Sequence, residues 1–211
     1  MLTIDIRGLR EEHELKAALK PAISSLRDGG IVIYPTDTVY GIGCDPRNEE
    51  ALTRLLNLKG RRGKPLPILA SGIEAIKLIV DMTSKAEKLA RVFWPGPLTM
   101  VLPLKSYLPV QVTMGKPKVG VRIPNSMVAR ILAENIGGLI VGTSANKTGE
   151  REPKSLEEVD TWLLSQVDVA INGGSCPLGV PSMVVEVDGE VRVIREGAIK
   201  TVDLHKVLRD D

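Results

Sequence analysis

The chain has 211 residues, 43% of them hydrophobic, and its 28 Lys and Arg residues nearly balance 26 Asp and Glu residues. This near-neutral charge argues against nucleic acid as the main ligand, and the few aromatic residues (two Trp, three Tyr and one Phe) argue against a module that reads single-stranded RNA by stacking. Cys44 and Cys176 are the two cysteines and lack metal-ligand spacing, so a structural zinc or a disulfide framework has no support.

The length suits one large domain. We expect residues 1–211 to form a single α/β domain with a twisted, open mixed sheet flanked by helices. An edge strand is predicted over residues 2–6, and a helix over residues 11–28 that Pro21 kinks or divides. Charges at Asp5, Arg7 and Arg10 interrupt any signal-peptide core, and no stretch approaches about 18 apolar residues, so a cytoplasmic protein with no membrane partner is expected.

The stretch over residues 29–43, GGIVIYPTDTVYGIG, predicts a central strand buried on both faces at residues 31–34. Thr36, Asp37 and Thr38 follow it directly and place small polar side chains at the carboxyl end of that strand. Ligands bind at this edge in open α/β sheets. A turn whose hydroxyl groups cap backbone groups explains the same residues from spacing alone.

A cationic loop follows a helix that Asn48 is predicted to cap. The loop, KGRRGKP at residues 59–65, includes Lys59 and Arg61 and two glycines. Its cations could complement the carboxyl end of the helix, or the loop could bind an anion with backbone N–H groups as well as side chains. Neither a P-loop nor a dinucleotide-binding fingerprint is present.

Strands are predicted next over residues 66–70 and 98–104, with helices over residues 73–80 and 84–93, the second capped by Ser84. Residues 119–124 alternate, so that Gly120 and Arg122 face away from the β-branched residues. Arg122 could be a solvated arginine on a half-exposed strand. It could equally grip a carboxylate with two parallel hydrogen bonds.

A second polar edge follows a helix capped by Ser126 and a buried strand at residues 139–141. The segment GTSANKTG, residues 142–149, contains Thr143, Ser144 and Asn146 and repeats the arrangement of the first polar edge. We expect the two edges to meet at one site.

The last third of the chain predicts an amphipathic helix over residues 155–166 with a capping box of Ser155 and Glu158, and a hairpin of residues 183–187 and 190–195. Ser182 and Arg195 stand at the open end of this hairpin. The motifs contain no Ser/His/Asp triad and no paired carboxylates. They indicate a cleft that holds substrates in line and neutralises negative charge.

These motifs resemble, in order and over residues 24–197, the signature of the YrdC-like family, whose members make threonylcarbamoyl-AMP for tRNA modification. The matching motifs are PTDTVYG at residues 35–41, K-x-R at Lys59 and Arg61, Arg122 in an alternating strand, S-x-N at Ser144 and Asn146, Ser182 after a glycine-rich loop, and R-x-G at Arg195 and Gly197. The resemblance implies a YrdC-like fold with a concave basic cleft, in the short single-domain form.

The resemblance also implies the reaction. L-Threonine and bicarbonate or CO2 would give a carbamate that attacks the α-phosphate of ATP and releases pyrophosphate, with Mg²⁺ accompanying ATP and no metal site on the protein. The product would pass to the tRNA threonylcarbamoyl transferase machinery, which modifies the adenosine next to the anticodon, and tRNA or double-stranded RNA is a further potential partner.

Roles for individual residues follow from the same resemblance. ATP would be bound by Lys59, Arg61, Thr143, Ser144, Asn146 and Arg195, of which Lys59, Arg61, Ser144 and Asn146 are also the expected catalytic residues. Threonine would be bound by Thr36, Arg122 and Ser182. Two departures affect the threonine contacts: Met183 stands where relatives often have threonine, and Leu69 where some have histidine.

Two other functions remain open at this stage. One is a non-catalytic protein of the same fold that binds double-stranded RNA or the ribosome, which the near-neutral charge weakens. The other is a carbamoyl-transfer module like that of hydrogenase maturation factors, which normally carry acylphosphatase and zinc-finger regions in addition.

Overall fold

The fold is described by a computed structural model that covers residues 1–60 and 63–209. Its strands are β1 (Leu2–Asp5), β2 (Val32–Tyr34), β3 (Gly41–Gly43), β4 (Ile68–Ala70), β5 (Leu98–Pro103), β6 (Lys118–Arg122), β7 (Leu139–Val141), β8 (Thr143–Ser144), β9 (Val169–Asn172), β10 (Met183–Asp188) and β11 (Glu190–Arg195). Its helices are α1 (Glu12–Ala18), α2 (Lys20–Arg27), α3 (Glu49–Leu58), α4 (Ile73–Ile79), α5 (Ser84–Phe93), α6 (Val110–Thr113), α7 (Met127–Asn135), α8 (Thr161–Gln166) and α9 (Thr201–Arg209).

The strands form two mixed sheets. The first has the order β1-β9-β2-β3-β8, and the second has the order β11-β10-β5-β6-β4-β7. Parallel pairs join β1 to β9, β9 to β2, β10 to β5 and β6 to β4, and the remaining neighbours are antiparallel. The predicted α/β class with a mixed sheet is confirmed, and β2 is central as expected, but the strands divide between two sheets rather than forming one.

The two sheets meet where the chain passes from β7 to β8. The Val141 carbonyl accepts a hydrogen bond from the Tyr34 hydroxyl at 2.7 Å, and the Val141 N–H donates to the Cys44 carbonyl at 3.0 Å. A Cβ atom at Gly43 would overlap the Val141 carbonyl, so only glycine allows this approach. The junction brings the polar segment after β7 beside the polar segment after β2.

Most of the predicted helix boundaries are confirmed. Pro21 lies in the first turn of α2 and separates it from α1, and the side chains of Asn48 and Ser126 cap α3 and α7 by accepting from the N–H groups of Ala51 and Ala129. Proline is tolerated in a first turn because its missing N–H has no helical partner there.

Two predicted caps are wrong. Helix α5 is capped by the Thr83 hydroxyl, which accepts from the Ala86 N–H at 3.2 Å, rather than by Ser84. The predicted helix over residues 155–166 is broken by the extended backbone of Val159 into a short 3₁₀ turn (Leu156–Glu158) and α8, which Asp160 caps. Glu158 instead accepts from the Lys154 N–H at 2.9 Å.

Apolar side chains pack in two clusters. The larger cluster joins both sheets, with Ile33 and Ile42 on one side and Met100 and Val121 on the other. The smaller cluster lies between the first sheet and helices α1, α2 and α7. Among the helices of residues 1–60 and 63–209, none has the length and apolar character that a membrane-spanning segment requires. That the whole chain is one domain stays a prediction.

Candidate functional site

A cavity of about 630 Å³ lies between the two sheets. Its floor is one face of the second sheet, formed mainly by alternate residues of β5, β6, β10 and β11. These residues are Thr99 and Val101 of β5, Lys118, Gly120 and Arg122 of β6, Val184 and Glu186 of β10, and Arg192 and Ile194 of β11. The facing wall is formed by the first sheet and by the segment between β2 and β3, and includes Thr36, Thr38, Tyr40, Gly41, Thr143 and Ser144. The two polar edges predicted to meet do line one cavity.

The cavity lining carries more cations than carboxylates. Its charged residues are Lys116, Lys118, Arg122, Arg192 and Arg195 with Glu152 and Glu186. At one end Lys118 Nζ lies 2.9 Å from Glu186 Oε1, and Arg192 pairs with the same carboxylate. This composition suits an anionic ligand.

Arg122 is buried at the floor of the cavity. Its side chain is 4% exposed, Nη2 lies 2.6 Å from Asp37 Oδ1, and Nη1 donates to Thr38 Oγ1 at 3.1 Å. Burial lowers the pKa of the Arg122 guanidinium and the neighbouring Asp37 carboxylate opposes that shift. The interpretation of Arg122 as a solvated arginine on a half-exposed strand is therefore wrong.

The Thr36 hydroxyl is used within its own turn. It donates to the Val39 carbonyl at 2.7 Å and accepts from the Thr38 N–H at 3.0 Å. The turn interpretation of this segment thus holds for Thr36, which also lines the cavity. Its role in threonine binding stays a prediction.

The Lys59 side chain is buried against the second polar edge. Only 2% exposed, it donates from Nζ to the Ser144 carbonyl at 2.5 Å and to the Asn146 carbonyl at 2.6 Å, and it is not among the cavity-lining residues. The helix-end interpretation does not describe these contacts either, because the acceptors belong to the second polar edge. Arg61, the other predicted residue of this motif, lies outside the described residues, as does Arg62.

The second polar edge is internally bonded. The Ser144 hydroxyl donates to Asn146 Oδ1 at 2.6 Å, and Asn146 Nδ2 donates to the Glu150 carbonyl at 2.6 Å. Thr143 and Ser144 line the cavity, whereas Asn146 stands behind them. The ATP and catalytic roles predicted for these residues remain predictions.

Ser182 and Arg195 touch each other at the cavity wall. Arg195 Nη2 donates to the Ser182 carbonyl at 2.8 Å, and the Ser182 hydroxyl lies 2.9 Å from the Thr99 hydroxyl. Burial lowers the pKa of Arg195. Because Ser182 is predicted to bind threonine and Arg195 to bind ATP, the two ligands would adjoin here.

The two departures from the family pattern lie in different places. Leu69 lines the cavity, so it can affect a ligand directly, whereas Met183 is fully buried in the larger apolar cluster. The sequence analysis assigned no site role to Thr99 or Asp37. Thr99 is a polar residue within an apolar strand, and Asp37 is the aspartate of the PTDTVYG motif, so both positions carried a signal of a site residue.

No cluster of three or more His, Cys, Asp or Glu residues that could hold a metal ion occurs in the part of the chain that the structure describes. Burial raises the pKa of the Cys176 thiol, next to the Thr36 turn, to about 11. A thiol with this pKa is neutral near pH 7 and is a poor nucleophile.

Comparison with known proteins gives one consistent result. The family model Sua5/YciO/YrdC, described as "Telomere recombination", matches residues 24–197. A threonylcarbamoyl-AMP synthase of Halorhodospira halophila is 36% identical over 157 residues, which are 74% of this chain and 82% of that protein. A putative threonylcarbamoyl-AMP synthase of Methanocaldococcus jannaschii is 36% identical over 93% of both chains.

The similarity extends to a solved structure. The crystal structure of Pyrococcus abyssi Sua5 complexed with L-threonine has a TM-score of 0.90 and 32% identity, and the match covers 100% of this chain and 62% of that one. This chain therefore spans less than two thirds of the length of the P. abyssi protein, and most of the length of the H. halophila and M. jannaschii relatives.

Proposed function

This chain belongs to the Sua5/YciO/YrdC family, and on that premise we propose that it is an L-threonylcarbamoyladenylate synthase. It would form threonylcarbamoyl-AMP and pyrophosphate from L-threonine, bicarbonate or CO2, and ATP, which makes it a nucleotidyltransferase. The observation that carries the proposal is the similarity, over the whole of this chain, to a Sua5 structure complexed with L-threonine.

The cavity supports this reaction by its composition. Arg122 provides a buried guanidinium for the carboxylate of threonine, and Ser182 provides a hydroxyl beside it. Arg195 adds a cation where a triphosphate would adjoin the amino acid. A cavity of about 630 Å³ is in the range of small-ligand sites.

The chemical step needs alignment more than side-chain chemistry. A carbamate oxygen forms a bond to the α-phosphorus of ATP. The bond from that phosphorus to the oxygen that bridges it to the β-phosphorus breaks, and pyrophosphate leaves with the bonding electrons. Side chains such as Arg122 and Arg195 would hold the two substrates in line and neutralise the charge that develops on the leaving group.

Magnesium would enter with ATP and would supply charge neutralisation on the phosphate oxygens. The phosphate oxygens of ATP would be its principal ligands, as is usual for Mg²⁺ that is bound together with a nucleotide. The threonylcarbamoyl-AMP would pass to a tRNA threonylcarbamoyl transferase for modification of the adenosine next to the anticodon. A cytoplasmic location and contact with tRNA belong to the same proposal.

The test is pyrophosphate release by the purified protein. Release should require ATP, L-threonine, bicarbonate and Mg²⁺ together, and threonylcarbamoyl-AMP should be detected in equal amount by mass spectrometry. Omission of threonine alone is the informative control. Pyrophosphate release at the same rate without threonine would contradict the assignment, and binding of double-stranded RNA without any such release would favour the non-catalytic alternative.

A further inference from the structure

The buried ion pair between Asp37 and Arg122 is not explained by the predicted roles of the cavity residues. Both side chains are 4% exposed, and Nη2 and Oδ1 are 2.6 Å apart. Removing two charges from water costs several kcal/mol per ion, and a buried pair is often no more stable than an apolar one of the same size. Such a pair is therefore weak evidence for stability and leaves room for a functional reason.

The hydrogen bonds of this pair are incomplete. Of the five N–H groups of a guanidinium, one on Nη2 goes to Asp37 and one on Nη1 goes to Thr38. Among the described residues, neither Arg122 Nε nor Asp37 Oδ2 has a hydrogen-bond partner. Because Nε is closed to solvent, the donors that Arg122 keeps for a ligand in the cavity are the second N–H groups of Nη1 and Nη2.

Asp37 is held in place from its backbone. The Thr36 hydroxyl donates to the Val39 carbonyl and so closes the turn that contains Asp37, and the Asp37 carbonyl accepts from the Leu178 N–H at 3.1 Å. Arg122 and Thr38 line the cavity, whereas Asp37 does not. The carboxylate therefore holds the guanidinium from behind, on a turn that is itself fixed.

We propose that Asp37 is a positioning residue, which together with Thr38 orients the Arg122 guanidinium so that its remaining N–H groups face the carboxylate of an amino-acid substrate. This inference rests on the proposed function for the identity of that substrate. A guanidinium recognises a carboxylate by two parallel hydrogen bonds, so a rotation of the fork would lose one of them. Asp37 would set specificity for the carboxylate without touching the substrate.

The experiment is calorimetric titration of Asp37→Asn with L-threonine and with L-threoninamide, whose carboxylate is replaced by an amide. Asparagine keeps the size of the side chain and one oxygen acceptor but removes the charge. We expect threonine affinity to fall at least tenfold, the preference for threonine over threoninamide to narrow, and ATP affinity to stay within twofold. In pyrophosphate release the threonine KM should rise while kcat changes less than threefold.

Asp5→Asn is the matched control. Asp5 also contacts an arginine, Arg7, at 2.6 Å, but both side chains are more than half exposed on edge strand β1 and the turn after it. Threonine affinity should not change in this variant. Thr38→Val is the second variant, which keeps the side-chain shape and should weaken threonine binding about threefold even where Asp37→Asn fails to fold.

A double variant tests whether Asp37 acts through Arg122. In an Arg122→Lys background, Asp37→Asn should change threonine affinity by no more than twofold, because the fork that it orients is already lost. Folded Asp37→Asn with threonine affinity within twofold of the wild type would overturn the inference and leave the proposed function intact. Wild type that binds threonine but releases no pyrophosphate would refute the proposed function alone, and wild type that binds no threonine would refute both.

Discussion

The ammonium group of Lys59 lies 2.5 Å from the carbonyl oxygen of Ser144, a residue 85 positions further along the chain. A second donor of the same ammonium reaches the Asn146 carbonyl at 2.6 Å, so one buried cation holds both ends of the Ser144–Asn146 segment. Ser144 lines the cavity. Lys59 therefore fixes the shape of the cavity wall, whether or not it also contacts a phosphate.

Lys59→Met should lower the stability of the protein without ligand. The substitution keeps an unbranched side chain but leaves buried carbonyl groups without their charged donor, and we expect a loss of about 2 to 4 kcal/mol in the free energy of unfolding. Urea unfolding followed by circular dichroism measures it. ATP affinity should fall as well, because Ser144 is no longer held.

Lys20→Ala is the control for this variant. Lys20 is exposed in the first turn of α2, away from the cavity, so the free energy of unfolding should change by less than about 0.5 kcal/mol and ATP affinity should not change. Unchanged stability of Lys59→Met with lost ATP binding would instead make Lys59 a direct phosphate ligand.

Arg195→Gln tests the boundary between the two proposed ligands. Arg195 contacts Ser182, yet it is assigned to ATP. We expect ATP affinity to fall about tenfold, or about 1.4 kcal/mol, because one charge-assisted contact is lost. Threonine affinity should fall less than threefold in the same calorimetric titrations.

Arg192→Gln is the matched control on the same strand. Arg192 also lines the cavity, but it pairs with Glu186 at the end of the cavity away from Ser182. The loss of the Arg192 charge should therefore change ATP affinity less than twofold. Equal effects of the two substitutions would show that only the overall charge of the cavity matters.

Local signals predicted much of the fold. The glycine pair and proline around β2 and the caps at Asn48 and Ser126 each act within a few residues, and the structure confirms them. The assignment of strands to two sheets was not predictable from such signals. It depends on pairing between distant segments, such as β3 with β8 and β4 with β7.

The candidate site was likewise predictable from the sequence only in part. The sequence predicted that the segments after β2 and β7 would meet, since both follow buried strands, and both line the cavity. It could not predict that Lys59 would be buried, or that Asp37 would pair with Arg122, 85 residues away. Long side chains reach several ångströms in any direction, and only the packed fold selects one.

Gly120→Val tests the floor of the cavity. A Cβ atom at Gly120 would lie 3.4 Å from the Thr99 side chain, an ordinary contact, and valine is favoured in strands, so the free energy of unfolding should change by less than about 1 kcal/mol. The added methyl groups would occupy the cavity, and binding of ATP or threonine should weaken at least tenfold. Gly72→Ala, at a position with open space outside the cavity lining, should leave binding unchanged. Full binding by Gly120→Val would place both ligands away from this floor.

The buried thiol of Cys44 should make stability depend on alkaline pH. Burial raises the pKa of Cys44 to about 12. The unfolded thiol, with its usual pKa of about 8.5, loses its proton first as pH rises, so the native state is favoured fully below that pH and progressively less toward pH 12. By pH 10 the loss should be about 2 kcal/mol relative to pH 7.

Cys44→Ala isolates this contribution. Burial also raises the pKa of tyrosines such as Tyr40, to about 12 in that case, and their ionisation in the unfolded chain lowers the free energy of unfolding of both proteins at high pH. The two proteins therefore differ only in the contribution of the thiol. Urea unfolding at pH 7 and pH 10 should show a smaller decrease for Cys44→Ala than for the wild type, even though the variant is less stable at pH 7 because of the cavity that it creates. Equal decreases in the two proteins would mean that the Cys44 thiol ionises as readily in the native state as in the unfolded chain.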